Sequence, residues 1–315
     1  MLLNLRKVAI IGCGFVGSSS AFSIMQSGLF SEMVLIDSDR ARAEGEALDI
    51  SHGLPYAKPM DIHAGDYQDI ADAYVIIITA GAAQKPGETR LDLVKKNTAI
   101  FKSIIPNIVK YNKDAILLVV ANPVDILTYV AAKISGYPQN RVFGSGTVLD
   151  TARLKYLISE HLNVDMRNVH SFIIGEHGDS EIVTWSFTNI SGVPISNYCE
   201  YKGYFNHQEA MEEIAAKVKN SAYEIIEKKK STYYGIAMSV RRICEVIVRD
   251  EKTILPVSSI QNDNYGLGDV SISMPCVVGA NGIESYAPIK LDEKEDAGIR
   301  HSAEVLKELI KELDI

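Results

Sequence analysis

No apolar run in the 315-residue sequence is long enough to cross a membrane; stretches such as residues 75–78 and 116–120 have the length of strands. The N-terminus lacks a long apolar segment with a small-residue cleavage site, so export through a signal peptide is not expected and a cytoplasmic location is. Cysteine is sparse. Cys13, Cys199, Cys244 and Cys276 are scattered without the paired spacing of a metal site, so the expectation is no metal and free thiols in a reducing compartment. Basic residues do not dominate either. The net charge of −8 argues against a nucleic-acid partner, which would need a basic face. There is no internal repeat and no low-complexity linker. What remains is ordinary for a globular chain, 47% hydrophobic and 23% charged, so disorder is not expected, and the length allows two domains or one large one.

The first chemistry-bearing stretch follows a short apolar run at residues 7–11. It reads Gly12-Cys13-Gly14-Phe15-Val16-Gly17 and leads into a small, helix-compatible segment at 18–26. Strand, glycine turn and helix are the context that Gly-x-Gly-x-x-Gly requires. Gly12 makes the tight turn, Gly14 lets a pyrophosphate approach the backbone, and Gly17 lets the helix pack on the strand. The helix N-terminus then offers unpaired N–H groups to the phosphates. A second buried strand, 33–36, ends in Asp37, which lies 20 residues beyond Gly17. A carboxylate there suits the adenosine ribose and repels a 2′-phosphate, which favours NAD over NADP. Arg40 and Arg42 lie close by and temper that choice. Cys13 reads as a small buried filler.

The alternation continues with a helix at 39–50, strands at 61–64 and 74–79, a helix at 92–111 kinked or divided by Pro106, and a strand at 115–120. Near-continuous apolar strands separated by helices predict an α/β fold, a doubly wound parallel sheet covered on both faces, with ligands beyond the carboxyl ends of its strands. Two stretches of interest fall at those ends. Residues 79–90 form a polar loop with two glycines and a proline, suited to a lid carrying Gln84 and Arg90. Asn122 ends a strand with an amide that both donates and accepts; Pro123 after it is either cis or the start of the next helix.

Past Gly144 the alternation fades into a mixed α/β region. Helices are predicted at 151–162, at 208–230, after a break at 231–234 through Arg249, and at 292–313; strands are predicted at 253–260 and 270–276, with Asn281-Gly282 as a hairpin turn. Inside this half lies Ile173-Ile174-Gly175-Glu176-His177-Gly178-Asp179-Ser180, where two glycines bracket an acid and a histidine and hold one imidazole in a constrained turn. Asp150 and Arg153, three residues apart, present a carboxylate and a guanidinium from one helical turn.

Taken in order, residues 12–17, 79–93, 122–125, 144–153, 174–180 and 231–237 resemble the NAD-dependent L-lactate and malate dehydrogenase family over nearly the whole chain, and are most similar to its bacterial L-lactate dehydrogenases. The resemblance implies a dinucleotide-binding domain over 1–146 and a mixed α/β substrate domain over 147–315. It implies that His177 is the proton donor and acceptor, that Asp150 holds its imidazole, and that Arg153 grips the substrate carboxylate. Arg90 would polarise the ketone and Asn122 would bond near it. Thr232 would line the substrate pocket, with Ile236 against the nicotinamide. Gly12, Gly14, Val16, Gly17, Asp37, Arg42, Tyr67, Gly81, Ala82, Ser103, Asn122 and Ser145 match cofactor-contact positions. The residue types suit the chemistry. Reducing a 2-keto acid needs a hydride, which NADH supplies, and a proton from a group titrating near neutrality. A neighbouring carboxylate favours imidazolium and fixes its tautomer. A planar guanidinium matches a carboxylate with two parallel bonds.

Gln84 bears on the substrate. The resemblance sets it against the group beyond the keto carbon, where malate dehydrogenases carry arginine; a neutral amide would leave a second carboxylate unpaired, so pyruvate and L-lactate are expected rather than oxaloacetate. Many bacterial relatives are homotetramers activated by fructose 1,6-bisphosphate. The resemblance assigns that effector an arginine two residues after Arg153 and a histidine at His170; this chain has His170 but Lys155, which keeps the charge and loses the phosphate fork, so activation stays open. The strand beginning by Lys7 leaves no room for a long N-terminal oligomerising arm. Besides a malate dehydrogenase, two rivals are an NAD-dependent glycosidase, which needs a metal site, and a non-catalytic NAD-binding module, which would not need Asp150, Arg153, His177 and Arg90 together.

Overall fold

The computed structural model describes residues 2–83, 87–262, 264–313 and 315. The first half runs β1 (Asn4–Ile11), α1 (Phe15–Ser27), β2 (Glu32–Ile36), α2 (Arg40–Ser51), β3 (Asp61–Ala64), β4 (Ala73–Ile78), α3 (Arg90–Tyr111), β5 (Ile116–Val119), α4 (Val124–Ser135) and β6 (Val142–Gly144). These six strands pair in parallel in the order β3-β2-β1-β4-β5-β6. The order reverses between β1 and β4, which opens a crevice beyond their carboxyl ends. Alternate residues of each strand feed opposite faces. Val8, Ile10, Val75 and Ile77 pack toward one core with Ala21 and Ile24 of α1, while Ala9, Ile11, Ile76 and Ile78 pack toward another with Phe101, Ile105 and Ile108 of α3. Both faces are covered, which is why the strands read as continuous apolar runs.

The second half runs α5 (Val148–Leu162), β7 (Val169–His170), β8 (Ile173–Ile174), β9 (Ile182–Val183), β10 (Asn189–Ile190), β11 (Val193–Pro194), α6 (Ile195–Tyr201), α7 (His207–Lys229), α8 (Tyr234–Arg249), β12 (Thr253–Ile260), β13 (Ser271–Gly279), β14 (Gly282–Tyr286) and α9 (Glu293–Lys311). The strands β12, β13 and β14 do not form a separate sheet. They add antiparallel to β6, where Ser258 pairs with Gly144, and extend the parallel sheet to nine strands among the described residues. Two small antiparallel ladders, β11-β10-β7 and β8-β9, carry the chain on either side of His177.

Two sequence expectations need correction. Of the two alternatives for Pro106, division is overturned: α3 runs for 22 residues with Pro106 inside it. Proline has no N–H for the i−4 bond, but Pro106 stands on the exposed face of the helix, away from its packed side. The hairpin turn is centred on Ala280-Asn281 rather than Asn281-Gly282, since Gly279 pairs with Gly282. Gly282 is required for a different reason: at φ +89° its Cβ would stand 2.0 Å from the Asn140 carbonyl oxygen.

Candidate active site

The glycine turn is built by close approach. A Cβ on Gly17 would fall 1.8 Å from the Gly12 carbonyl oxygen, and Gly12, at φ +102°, has Ala80 N 2.5 Å from where its Cβ would sit. Thr79 Oγ1 donates to the Gly12 carbonyl at 2.7 Å and locks the end of β4 to the turn. Gly14 is different: its Cβ would meet no protein atom within 4 Å, and it stands at the N-cap of α1 with no side-chain cap on that helix. Asp37 accepts from the Cys13 N–H at 2.6 Å and the Asp39 N–H at 2.9 Å, so its carboxylate faces the turn at the end of β2. An open glycine, uncapped helix N–H groups and a carboxylate beside them fit a dinucleotide. Substituting Gly14→Ala is expected to leave the melting temperature unchanged and to weaken NADH binding by about tenfold, measured by fluorescence titration; equal affinity would show that the ligand does not pass over Gly14.

Val16 packs partly buried on the core, Tyr67 sits half-buried after β3, and Ser145, buried, donates its N–H to the Val119 carbonyl at 2.8 Å. Gly81 and Ala82 follow β4 at the crevice, and a Cβ on Gly81 would meet the Ala121 side chain at 3.3 Å. Arg42 is exposed on α2, and Arg40 is tied to Glu44 at 2.9 Å and the Ala64 carbonyl at 3.1 Å. Ser103 stands on the exposed face of α3, about 20 Å along the axis from Arg90, and its carbonyl accepts from Asn107 Nδ2.

The His177 turn is held from several sides. Gly175 exchanges both backbone bonds with Ser273 of β13, at 2.9 and 3.1 Å. Thr147 Oγ1 donates to the Ile173 carbonyl at 2.5 Å and Thr151 Oγ1 accepts the Ile173 N–H at 2.9 Å, which pins β8 to α5. That places Asp150, on the same first turns of α5, against the imidazole: His177 Nδ1 and Asp150 Oδ2 are 2.5 Å apart. The other Asp150 oxygen accepts from Arg153 Nη1 at 2.9 Å. The Asp150–Arg153 pair is buried, not a solvated surface contact, with side chains 3% and 14% exposed. Burial disfavours the imidazolium, but Asp150, aided by Asp125 and Glu181, carries His177 up to about 9. Burial also works to raise Asp150, and His177 and Arg153 hold it below the usual carboxylate range. Glu181, four residues on, is pushed up to about 8 by burial and by the Asp150 charge.

Arg90 opens α3 behind a Thr89–Asp92 capping box, and its guanidinium is ion-paired with the buried Glu176 beside His177. Asn122 is exposed at the end of β5, and its peptide bond to Pro123 is cis; Pro123 is also the N-cap of α4. Thr232, half-buried, lies in the break between α7 and α8, and Ile236, half-buried in the first turn of α8, packs on the core. Tyr233 between them stacks on Phe15 of the glycine turn at 5.3 Å, which brings this segment to the cradle. Gln84 lies outside the described residues. Lys155 is half-buried on α5, where burial pushes its ammonium down, and His170 is exposed on β7. Among the described residues no cluster of histidine, cysteine and acids is arranged to hold a metal, and no helix is long and apolar enough to cross a membrane. The four cysteines are buried and unbonded to one another.

Some positioning groups escaped the sequence reading. Asn97, fully buried in α3, accepts the Ala82 N–H at 2.8 Å and donates to the carbonyls of Ala82 at 3.2 Å and Asn122 at 2.7 Å, tying the β4 and β5 loops together. Ser302 of α9 takes the Glu176 N–H at 2.8 Å and lies 2.9 Å from Ser180 Oγ. Asp125 accepts the His177 N–H at 2.8 Å. The one usable sign in the sequence was an amide on the packed face of a helix, as Asn97 is between Val94 and Phe101.

Comparison with known proteins matches residues 6–144 to the NAD-binding domain of lactate/malate dehydrogenases and residues 147–314 to their alpha/beta C-terminal domain. The chain is 55% identical over 311 residues to an L-lactate dehydrogenase of Acetivibrio thermocellus, covering 99% of this chain and 98% of that one. It is 56% identical over 311 residues to that of Thermoanaerobacterium saccharolyticum, covering 99% and 100%. Among solved structures it is similar to the minor L-lactate dehydrogenase of Enterococcus mundtii in a ligand-bound form, with a TM-score of 0.95 and 43% identity over 98% of this chain and 99% of that one. It is also similar to a lactate dehydrogenase from a Medee basin deep-sea metagenome, with a TM-score of 0.94 and 45% identity over 99% of each chain.

Proposed function

The chain belongs to the lactate/malate dehydrogenase family and is an NAD-dependent oxidoreductase that interconverts pyruvate and L-lactate, and we propose that His177 carries the proton of that reaction. The observation that supports this role is the His177 Nδ1–Asp150 Oδ2 bond of 2.5 Å, with Arg153 on the other carboxylate oxygen. When bound, NADH supplies the hydride for the keto carbon. Asp150 fixes which ring nitrogen faces it, so Nε2 is the atom left to pass a proton to the substrate oxygen. Arg153 keeps further N–H groups for a substrate carboxylate after bonding Asp150 with one nitrogen. Arg90, released from Glu176, turns its cation to the ketone oxygen, where negative charge grows. Asn122 donates beside it, Thr232 lines the pocket, and Ile236 excludes water from the nicotinamide face.

The pH dependence tests this. Reduction consumes the imidazolium, so kcat/KM for pyruvate holds level below about 9 and falls as pH rises through it. Oxidation consumes the neutral imidazole, so kcat/KM for lactate rises over the same range. The same proton contributes stability that is complete below the unfolded histidine value and lost as pH rises through about 9. Profiles of one shape in both directions would remove His177 from the role.

The choice of pyruvate over oxaloacetate is assigned to Gln84, and the dinucleotide contacts to Gly12, Gly14, Val16, Gly17, Asp37, Arg42, Tyr67, Gly81, Ala82, Ser103, Asn122 and Ser145. The proposed division of the chain falls at 146/147, between the cradle and the substrate half. A cytoplasmic homotetramer is the proposed setting; an apolar face shared by α1 and α8, with Phe22, Tyr234 and Met238 exposed, supports association. Fructose 1,6-bisphosphate is the proposed activator, received by Lys155 and His170. Titrating it at fixed low pyruvate is expected to raise the rate, and an unchanged rate removes the effector from the account.

A further inference from the structure

Beneath the His177 turn lies a carboxylate that bonds the His177 backbone rather than its ring. Asp125, in the first turn of α4, is 2% exposed. One oxygen accepts the His177 N–H at 2.8 Å; the other accepts from Ser258 Oγ of β12 at 2.6 Å and lies 3.4 Å from Ser273 Oγ of β13. An aspartate in a first helical turn ordinarily favours its own helix's N–H groups, yet these bonds all leave α4 for other elements. Asn122 stands three residues upstream, its carbonyl held by Asn97. One side chain thus joins the strand end that bears Asn122 to the turn that bears His177.

A tie alone does not need a charge. Taking a carboxylate out of water is expensive, and a neutral amide of the same shape would make the same bonds at less cost. The charged groups facing His177 are Asp150 and Arg153 from α5, Glu181 from the chain just after it, and Asp125 from α4, with the Arg90–Glu176 pair adjoining. Burial pushes Asp125 up, while Ser258, Ser273 and the His177 N–H act to keep it ionised.

We propose that Asp125 is a positioning residue of the proton transfer: its carboxylate fixes the His177 backbone relative to Asn122 and adds a second buried negative charge beside the imidazole. The proposal rests on the reading of His177 as the proton carrier. Asp125→Asn tests it, because the amide oxygen can still accept from His177 and the amide nitrogen can donate to Ser258. The alkaline break in kcat/KM for pyruvate is expected to move down by about one pH unit, with NADH affinity unchanged. An unmoved break in a folded, NADH-binding variant overturns the proposal. Should that variant fail to fold, Ser258→Ala removes one donor and leaves the carboxylate in place. Asp125 then keeps its proton to a higher pH and lends the imidazole less negative charge, so the alkaline break of the same profile is expected to shift downward; a break matching the wild type overturns the proposal. The wild type run alongside separates the two readings: a profile with no break near 9 strikes at His177 itself, whereas a break present in the wild type and unmoved by the substitutions strikes only at Asp125.

Discussion

Replacing His177 with asparagine is expected to lower kcat for pyruvate reduction by about 10³-fold, near the middle of what a positioned general acid contributes. Asparagine can keep a hydrogen bond toward Asp150, so the packing of the turn survives, but it has no proton to give in the accessible pH range. The loss should fall on kcat, since the side chain acts on the oxygen only as charge develops there. NADH binding should stay within about twofold of wild type, because the hydrogen bonds of His177 among the described residues run to Asp150 and Asp125 and not to the glycine turn. The residual activity should also lose its break near 9, because the group that titrates there is gone. A variant within tenfold of wild type would mean that water or another acid, such as Glu181 with its value pushed up to about 8, delivers the proton.

Arg153→Leu is expected to lower kcat/KM for pyruvate by about 10³-fold, the scale of removing one partner from a buried, hydrogen-bonded charge pair. Two effects add. The substrate carboxylate loses its planar partner, and Asp150 loses the cation on its second oxygen, which leaves a buried carboxylate with His177 alone. The first effect should appear in KM and the second in the pH profile, where His177 holds its proton to a higher pH than in the wild type. Arg153→Lys should fall between the two, since lysine restores the charge without the fork. NADH affinity unaltered alongside a raised KM for pyruvate would locate the loss at the substrate; an unaltered KM would release Arg153 from its assignment.

Several parts of this architecture were legible in the sequence for physical reasons. Strands buried on both faces show as continuous apolar runs, so β1, β2, β4 and β5 stood out. The glycine turn announced itself because Gly12 and Gly17 are forced by backbone contacts of 2.5 and 1.8 Å, and no other residue type satisfies them. Asp150 and Arg153 sit one turn apart on α5, a spacing the helix itself supplies. Other features depend on partners distant in the chain. Asp125 meets His177 across 52 residues and Ser258 across 133, and Ser302 meets Glu176 across 126. Nothing near Asp125 in sequence distinguishes it from an acid favouring its own helix. The extension of the parallel sheet by β12, β13 and β14 was hidden for a similar reason. Strand content can be read locally, but the pairing of Ser258 with Gly144 is set by where the chain returns.

The most direct test of the central claim is initial-rate NADH oxidation with pyruvate and with oxaloacetate, run from pH 6 to 10 on the same preparation. The account predicts strong preference for pyruvate and a fall in kcat/KM as pH passes about 9. Preference for oxaloacetate would leave the fold standing and contradict the substrate assignment to Gln84. Absence of turnover with either keto acid, in protein that still binds NADH, would contradict the assignment of His177, Asp150, Arg153 and Arg90 to catalysis.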